Sequence, residues 1–352
     1  MALGLKRMNT EPTDSIAQML AGFIQKQAQA QSVQVEAFSR LSGGAIQSNY
    51  GLTVVCQGGT LPGRHELVVR SDSPSGVSAS LSREEEFHVL QMAHRAGVTV
   101  PKPYWFCADT SLIGVPFCIM ARVAGTASGR TLVRSTLTAE QARALTRQLG
   151  HELATIHSIH PPDARLPFLT VPNQDPSQAR IQGYRRALGQ IDEPHPALEY
   201  ALLWLRRKAP PAAGVVLCHC DFRTGNYMVH EGRITGILDW EFATWSDPYE
   251  DLGWLCARSW RFGQFNLEVG GVGHKTDLFQ AYTESTGRQV DPLTVEYWEV
   301  MAMVRWAIIA LQQAQRHLSR QQPSLELALT GRMLPEIEMD ILNQIEALES
   351  TP

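Results

Sequence analysis

Lysine is scarce in this chain. Of 31 basic residues only Lys6, Lys26, Lys102, Lys208 and Lys275 are lysines, and none lies between Gly44 and Glu86. A basic excess is missing as well. Residues 1–121 hold nine Lys+Arg and nine Asp+Glu, residues 122–352 hold 22 and 26, and the formal net charge is −4. That balance excludes the electrostatic footprint of a nucleic-acid or anionic-membrane binder. No apolar run approaches the roughly 20 residues of a membrane span; Met301–Leu311 is short and carries Arg305. The N-terminus shows neither an apolar signal core nor a small-residue cleavage site. Six scattered cysteines in 352 residues exclude a disulfide framework. They predict reduced thiols and a cytoplasmic protein.

What is present is globular composition, 44% hydrophobic and 19% charged, in a chain long enough for two packed units. Ile16, Met19, Leu20 and Phe23 fall at helical spacing and predict an amphipathic helix from Thr13 to Gln29, within an N-terminal extension over 1–32. Strand patterns follow at Val35–Phe38, Leu52–Cys56 and Glu66–Arg70, the signature of an antiparallel meander. Ser71–Ser80 reads as a loop. Ser82 and Glu85 have capping-box spacing and open a helix with Phe87, Leu90 and Ala93 on one face and Gly97 as its stop. Tyr104–Phe106 and Pro116–Ala121 read as two more strands. Beyond Val123 the period becomes helical, at Thr138–Ile159, Ala179–Leu188, Pro196–Lys208, Leu278–Ser285, Val295–His317 and Ser324–Ala347. Val215–Trp240 is a β-rich exception. The expected fold is α+β, with a sheet unit over 33–121 and a larger, mostly helical unit over 122–352.

The β-rich exception carries the chemistry. Strand Val215–Leu217 runs into His219-Cys220-Asp221, Asn226 follows, and a hairpin through Glu231-Gly232 returns to Asp239. A two-residue turn pairs His230 with Arg233, which sets Asn226 opposite Ile237 and Asp239 opposite Thr224. Asp239 then lies diagonally across from Asn226. An amide oxygen and a carboxylate at the open end of one hairpin suit a hard cation such as Mg²⁺, which takes few protein ligands beside substrate phosphates. Asp221, on the loop before the hairpin, is placed to hold an attacking hydroxyl.

His-x-Asp-x-x-x-x-Asn at 219–226, followed by Ile237-Leu238-Asp239-Trp240-Glu241, resembles the aminoglycoside phosphotransferase and choline kinase group. It is most like the broad bacterial phosphotransferase proteins related to the kinase-like domain of some acyl-CoA dehydrogenase fusions. Gly114-Val115-Pro116-Phe117 and Asp247-Pro248…Asp251-Leu252 extend the likeness, from about Leu41 to the C-terminus. The resemblance implies a bilobal protein-kinase-like fold and an ATP- and Mg²⁺-dependent phosphotransferase acting on the hydroxyl of a small molecule. It implies Asp221 as catalytic base or hydroxyl-positioning group, Asn226 and Asp239 as Mg²⁺ ligands, and His219 and Asp251 as supports of the loop. On the nucleotide side it implies Ser42, Gly43 and Gly44 over the phosphates, and Arg70 paired with Glu86. Val68, Met120, Met228 and Leu238 would wall the base, and the segment beginning at Arg122 would meet the adenine.

Two positions depart from the family pattern. Arg70 stands where protein kinases place lysine; its planar fork can reach phosphate oxygens and a carboxylate together. Cys220 replaces the usual glycine. Cys218-His219-Cys220 lacks a second ligand cluster at zinc-site spacing. The acceptor side is expected among Arg223, Glu241, Arg258 and Arg305, with Tyr227, Trp245, Trp254, Trp260, Arg261, Tyr297, Trp298 and Trp306 in the wider set. Arg258, Arg261 and Arg305, standing among aromatics, suggest a neutral or anionic acceptor. Two other classes compete: a nucleotide-binding pseudokinase serving as a regulatory module, motivated by Arg70 and Cys220, and a metal-dependent hydrolase built on His219, Asp221 and Asp239.

Overall fold

Ala17, Leu20, Ile24 and Ala28 recur every three or four residues and are all buried, so Glu11–Ala28 (α1) folds as a helix with one apolar stripe. The computed structural model describes residues 11–41, 48–71, 80–135 and 137–350; the glycine turn expected at Ser42, Gly43 and Gly44 lies outside them. After α1 come β1 (Ser32–Arg40), β2 (Ser48–Gln57), β3 (Gly63–Ser71), α2 (Arg83–Ala96), β4 (Pro103–Cys107) and β5 (Phe117–Ala121). The strands form one antiparallel sheet in the order β1-β2-β3-β5-β4.

Strand alternation assigns β3 its two jobs. Leu67 and Val69 join the core beneath α1, with Leu52, Val54, Phe117 and Ile119. Val68 and Arg70 fall on the opposite face, where Arg70 meets Glu86 of α2. Ser82 caps α2 as its spacing predicts: the Glu85 N–H donates to the Ser82 hydroxyl at 3.3 Å, and the Ser82 N–H to the Glu85 carboxylate at 2.8 Å. Gly97, at φ +90°, ends the run.

Helices then dominate: α3 (Gly129–Arg134), α4 (Ala139–Ile156), α5 (Pro176–Leu188) and α6 (Pro196–Lys208). Short strands follow as β6 (Val216–Cys218), β7 (Tyr227–His230), β8 (Arg233–Ile237) and β9 (Thr244–Ser246). The chain finishes with α7 (Tyr249–Cys256), α8 (Lys275–Thr286), α9 (Pro292–Leu318), α10 (Leu325–Gly331) and α11 (Leu334–Ser350). The 27-residue α9 is the spine of this part. Its Trp298, Met301, Val304, Ile308 and Leu311 pack in one cluster with Leu198, Leu202 and Leu205 of α6 and Ile337, Ile341 and Ile345 of α11. Gly253 lets α7 lie against α9, since a Cβ there would sit 2.5 Å from the Trp298 Cβ.

By contacts the chain divides into two compact units. One runs to Arg95 and resumes over Val100–Ala124; the other takes Ala96–Thr99 and continues from Gly125. One sequence expectation fails in the helical part. The single helix expected over Ser324–Ala347 is two helices, α10 and α11. Pro335 explains the break: it has no N–H to donate, and its ring would collide with the Gly331 carbonyl in a continuous helix.

Candidate active site

β6 is three residues long and pairs with β9; it ends by delivering His219. The loop that follows is held from every side. Asp251, in the first turn of α7 and fully buried, accepts the N–H of His219 and of Cys220, each at 2.7 Å. His157, which caps the C-terminus of α4, reaches the same carboxylate at 3.2 Å and the Tyr282 hydroxyl at 2.9 Å. Burial pushes the Asp251 carboxyl up, but His157 and the loop N–H groups outweigh it and hold it below the ordinary range. His219 spends both ring nitrogens on structure. Nε2 donates to the Leu238 carbonyl at 2.8 Å, Nδ1 accepts the Asp221 N–H at 3.2 Å, and the ring lies 4.6 Å from that of Trp240. That commitment suits a shaping residue rather than a proton carrier.

Cys220 adopts φ +59°. This left-handed conformation favours glycine, which accounts physically for the family's residue at that place. Burial pushes its thiol well up, so it stays protonated beside Arg180 Nη2 at 3.4 Å. His157, Cys218 and Asp251 bring ligand-type atoms within 4.8 Å of one another. Hydrogen bonds account for all three, the Cys218 thiol donating to the Asp247 carbonyl at 3.3 Å.

Asn226 turns its amide onto Asp221, donating from Nδ2 to the Asp221 carbonyl at 2.9 Å and to its Oδ2 at 2.5 Å. The hairpin register differs from the count. His230 does pair with Arg233, but a bulge at Thr235 shifts the rest, so Tyr227 faces Ile237 and Met228 faces Gly236. Asn226 therefore sits opposite Leu238, whose N–H reaches the Asn226 carbonyl at 2.8 Å. Asp239 is the next residue, at φ +60°; leaving the extended conformation frees its side chain from strand alternation.

Among the acceptor-side candidates, Arg223 Nε reaches Asp221 Oδ1 at 3.2 Å and its guanidinium lies 4.5 Å from the Trp260 ring centre. Arg305 donates to the Cys220 carbonyl and stacks 4.3 Å over Trp254. Arg258 is engaged elsewhere, with Asp340 at 2.9 Å and over the Phe265 ring. Glu241 is half-buried on the 3-10 turn after Asp239. In the sheet unit, Arg70 Nη2 lies 2.8 Å from Glu86 Oε1, with both side chains about 8% exposed. Arg83 approaches the other oxygen of the same carboxylate. Val68 and Met120 face each other across β3 and β5, and Arg122 is exposed, its N–H on the Glu66 carbonyl at 2.9 Å. Met228 and Leu238 are half-buried on the hairpin. Sequence reasoning missed His157 and Arg83 as supports, and it missed the Trp254 N–H that donates to Asp221 Oδ1 at 2.9 Å. No spacing rule links residues 94 or 33 positions apart.

The model of the Phosphotransferase enzyme family matches residues 37–286. The chain belongs to that family. Acyl-CoA dehydrogenase family member 10 of Mus musculus is 26% identical over 289 residues, covering 76% of this chain and 26% of that protein; the chain thus matches about a quarter of that relative's length. Among solved structures, a candidate aminoglycoside phosphotransferase of Ralstonia eutropha JMP134 superposes with a TM-score of 0.74 at 22% identity, covering 94% of this chain and 98% of that one. Spectinomycin phosphotransferase, solved with ADP and spectinomycin, gives 0.58 at 17% identity over 93% and 98%. The fold is the bilobal kinase-like α+β fold that the motif implied. No helix among the described residues is long and apolar enough to cross a membrane.

Proposed function

We propose that this member of the phosphotransferase family moves the γ-phosphoryl group of ATP to a hydroxyl of a small molecule. The observation that carries the reading is the Asp221–Asn226 pair. Both amide contacts of Asn226 go to Asp221, which leaves the amide oxygen as the atom to offer a cation. With the Asp239 carboxylate one residue beyond the Asn226–Leu238 pair, the donors are hard oxygens, the set that Mg²⁺ takes. Asn226 and Asp239 would hold Mg²⁺, which when bound neutralises charge on the phosphate oxygens.

The remaining work falls to the chain's own groups. Asp221 orients the acceptor hydroxyl; as the oxygen bonds to the γ-phosphorus and the bond from that phosphorus to the bridging oxygen of ADP breaks, the hydroxyl proton passes to Asp221. Little covalent chemistry is asked of the protein beyond alignment. Asp251 keeps the loop backbone still while this happens, and Arg70, steadied by Glu86, serves the phosphates. Support for the nucleotide comes from spectinomycin phosphotransferase, which was solved with ADP.

Titration calorimetry with Mg-ATP, followed by an ATP turnover assay, tests the reading. The wild type is expected to bind and turn over; Asp221→Asn is expected to bind with similar affinity and to lose turnover. Binding without turnover in the wild type, across a screen of hydroxyl metabolites, would favour the pseudokinase reading.

A further inference from the structure

Asp221 is held on both carboxylate oxygens. Asn226 donates to Oδ2, while Oδ1 accepts Arg223 Nε at 3.2 Å and Trp254 Nε1 at 2.9 Å. Asn226 and Arg223 belong to the loop itself. Trp254 arrives from α7, and its ring has almost no freedom. It is 2% exposed, Arg305 lies 4.3 Å over its face, and the Trp260 ring centre is 5.1 Å away. Asp251, three residues earlier on the same helix, already clamps the loop backbone through the His219 and Cys220 N–H groups. Residues three apart share a helix face. A single turn of α7 therefore fixes both the main chain of the loop and the side chain at its tip.

We propose that Trp254 is a positioning residue for phosphoryl transfer, its indole N–H setting the plane of the Asp221 carboxylate. This rests on the reading that Asp221 receives the acceptor hydroxyl. Indole is a donor only, so the contact has one polarity. A ring wedged between Arg305 and Trp260 cannot follow the carboxylate if it turns. Burial of an indole N–H calls for a partner; that the partner is Asp221 rather than a backbone carbonyl ties the packing of α7 to the reacting loop.

Two measurements decide it. Trp254→Phe keeps an aromatic ring in place and deletes the donor. ATP turnover with water as acceptor is expected to fall about tenfold, the scale of one hydrogen bond to a charged group, while the KM for Mg-ATP stays within about twofold, the pattern of a contact that acts on the chemical step. Unchanged turnover, or KM and kcat moving together, overturns the proposal. The second measurement needs no Trp254 variant. In the ¹H–¹⁵N spectrum of the full chain the Trp254 indole signal, assigned from side-chain correlations, is expected to move in Asp221→Asn; a signal that stays put overturns the proposal. A wild type that binds Mg-ATP but turns none over defeats the phosphotransfer reading instead, and the indole signal then still reports whether Trp254 holds Asp221.

Discussion

Arg70 is where a missing residue type became a structural statement. With no lysine between Gly44 and Glu86, the cation on β3 had to be an arginine, and the structure pairs it with Glu86 at 2.8 Å in a buried setting. Arg83 on the other oxygen was not legible, because an i, i+3 pair on a helix is more often a solvated one; here it is buried. Two cations on one carboxylate restrict how Glu86 can turn, and through it Arg70. Arg70→Ala is expected to raise the KM for ATP and lower turnover together. Arg70→Lys is expected to keep partial activity, since the charge stays and the fork is lost. Because Arg83 still pairs with Glu86 in either variant, the stability loss by urea unfolding is expected to stay below the roughly 3–5 kcal/mol of an uncompensated buried charge. Wild-type kinetics in Arg70→Ala would remove Arg70 from the nucleotide site.

At the scale of elements, the sequence was most readable where local chemistry decides. The α2 capping box and its glycine stop follow from side-chain reach alone, and the structure shows both. The hairpin was readable at its turn and misread beyond it, because the Thr235 bulge leaves no mark in a hydrophobic pattern and slips every later pair by one. The start of α7 shows a property that pattern cannot give. Asp247 accepts the Ala213 N–H at 2.8 Å and the Tyr249 N–H at 2.9 Å, yet burial outweighs both and pushes its carboxyl up to about 6. The unfolded chain releases that proton near ~3.9. Between the two values the folded state binds the extra proton, so stability falls as pH rises through this window. Denaturant unfolding of the wild type and of Asp247→Asn, which cannot titrate, checks the sign. As the pH is lowered from 7 towards 4, the wild type is expected to gain stability relative to the variant. A difference independent of pH would show that Asp247 does not titrate there.

Across the whole molecule, the order of elements and the loop over 219–226 could be read from one sequence; of that loop's supports, His219 and Asp251 came only with the family resemblance, and His157 and Trp254 not at all. His157 and Trp254 meet their partners, Asp251 and Asp221, only through folding, from 94 and 33 residues away. Each unit has its own core: the sheet under α1 in one, the α6–α9–α11 cluster in the other. A ligand that binds the folded chain raises its stability as a whole by mass action, about 2.7 kcal/mol at a concentration of about 100 Kd. For a chain of this length that corresponds to about 4 °C in the unfolding midpoint. Mg-ATP is therefore expected to raise the midpoint of the wild type by this amount, and of Asp221→Asn equally, because the role proposed for Asp221 is on the acceptor side. In the proposed site Asp239→Asn loses a charged cation ligand and is expected to show a much smaller shift, as is the wild type with ATP and EDTA. The comparison is internal, since each protein serves as its own reference without nucleotide. An Asp239→Asn shift as large as the wild type's would remove Asp239 from the metal site and leave Asn226 without its partner there.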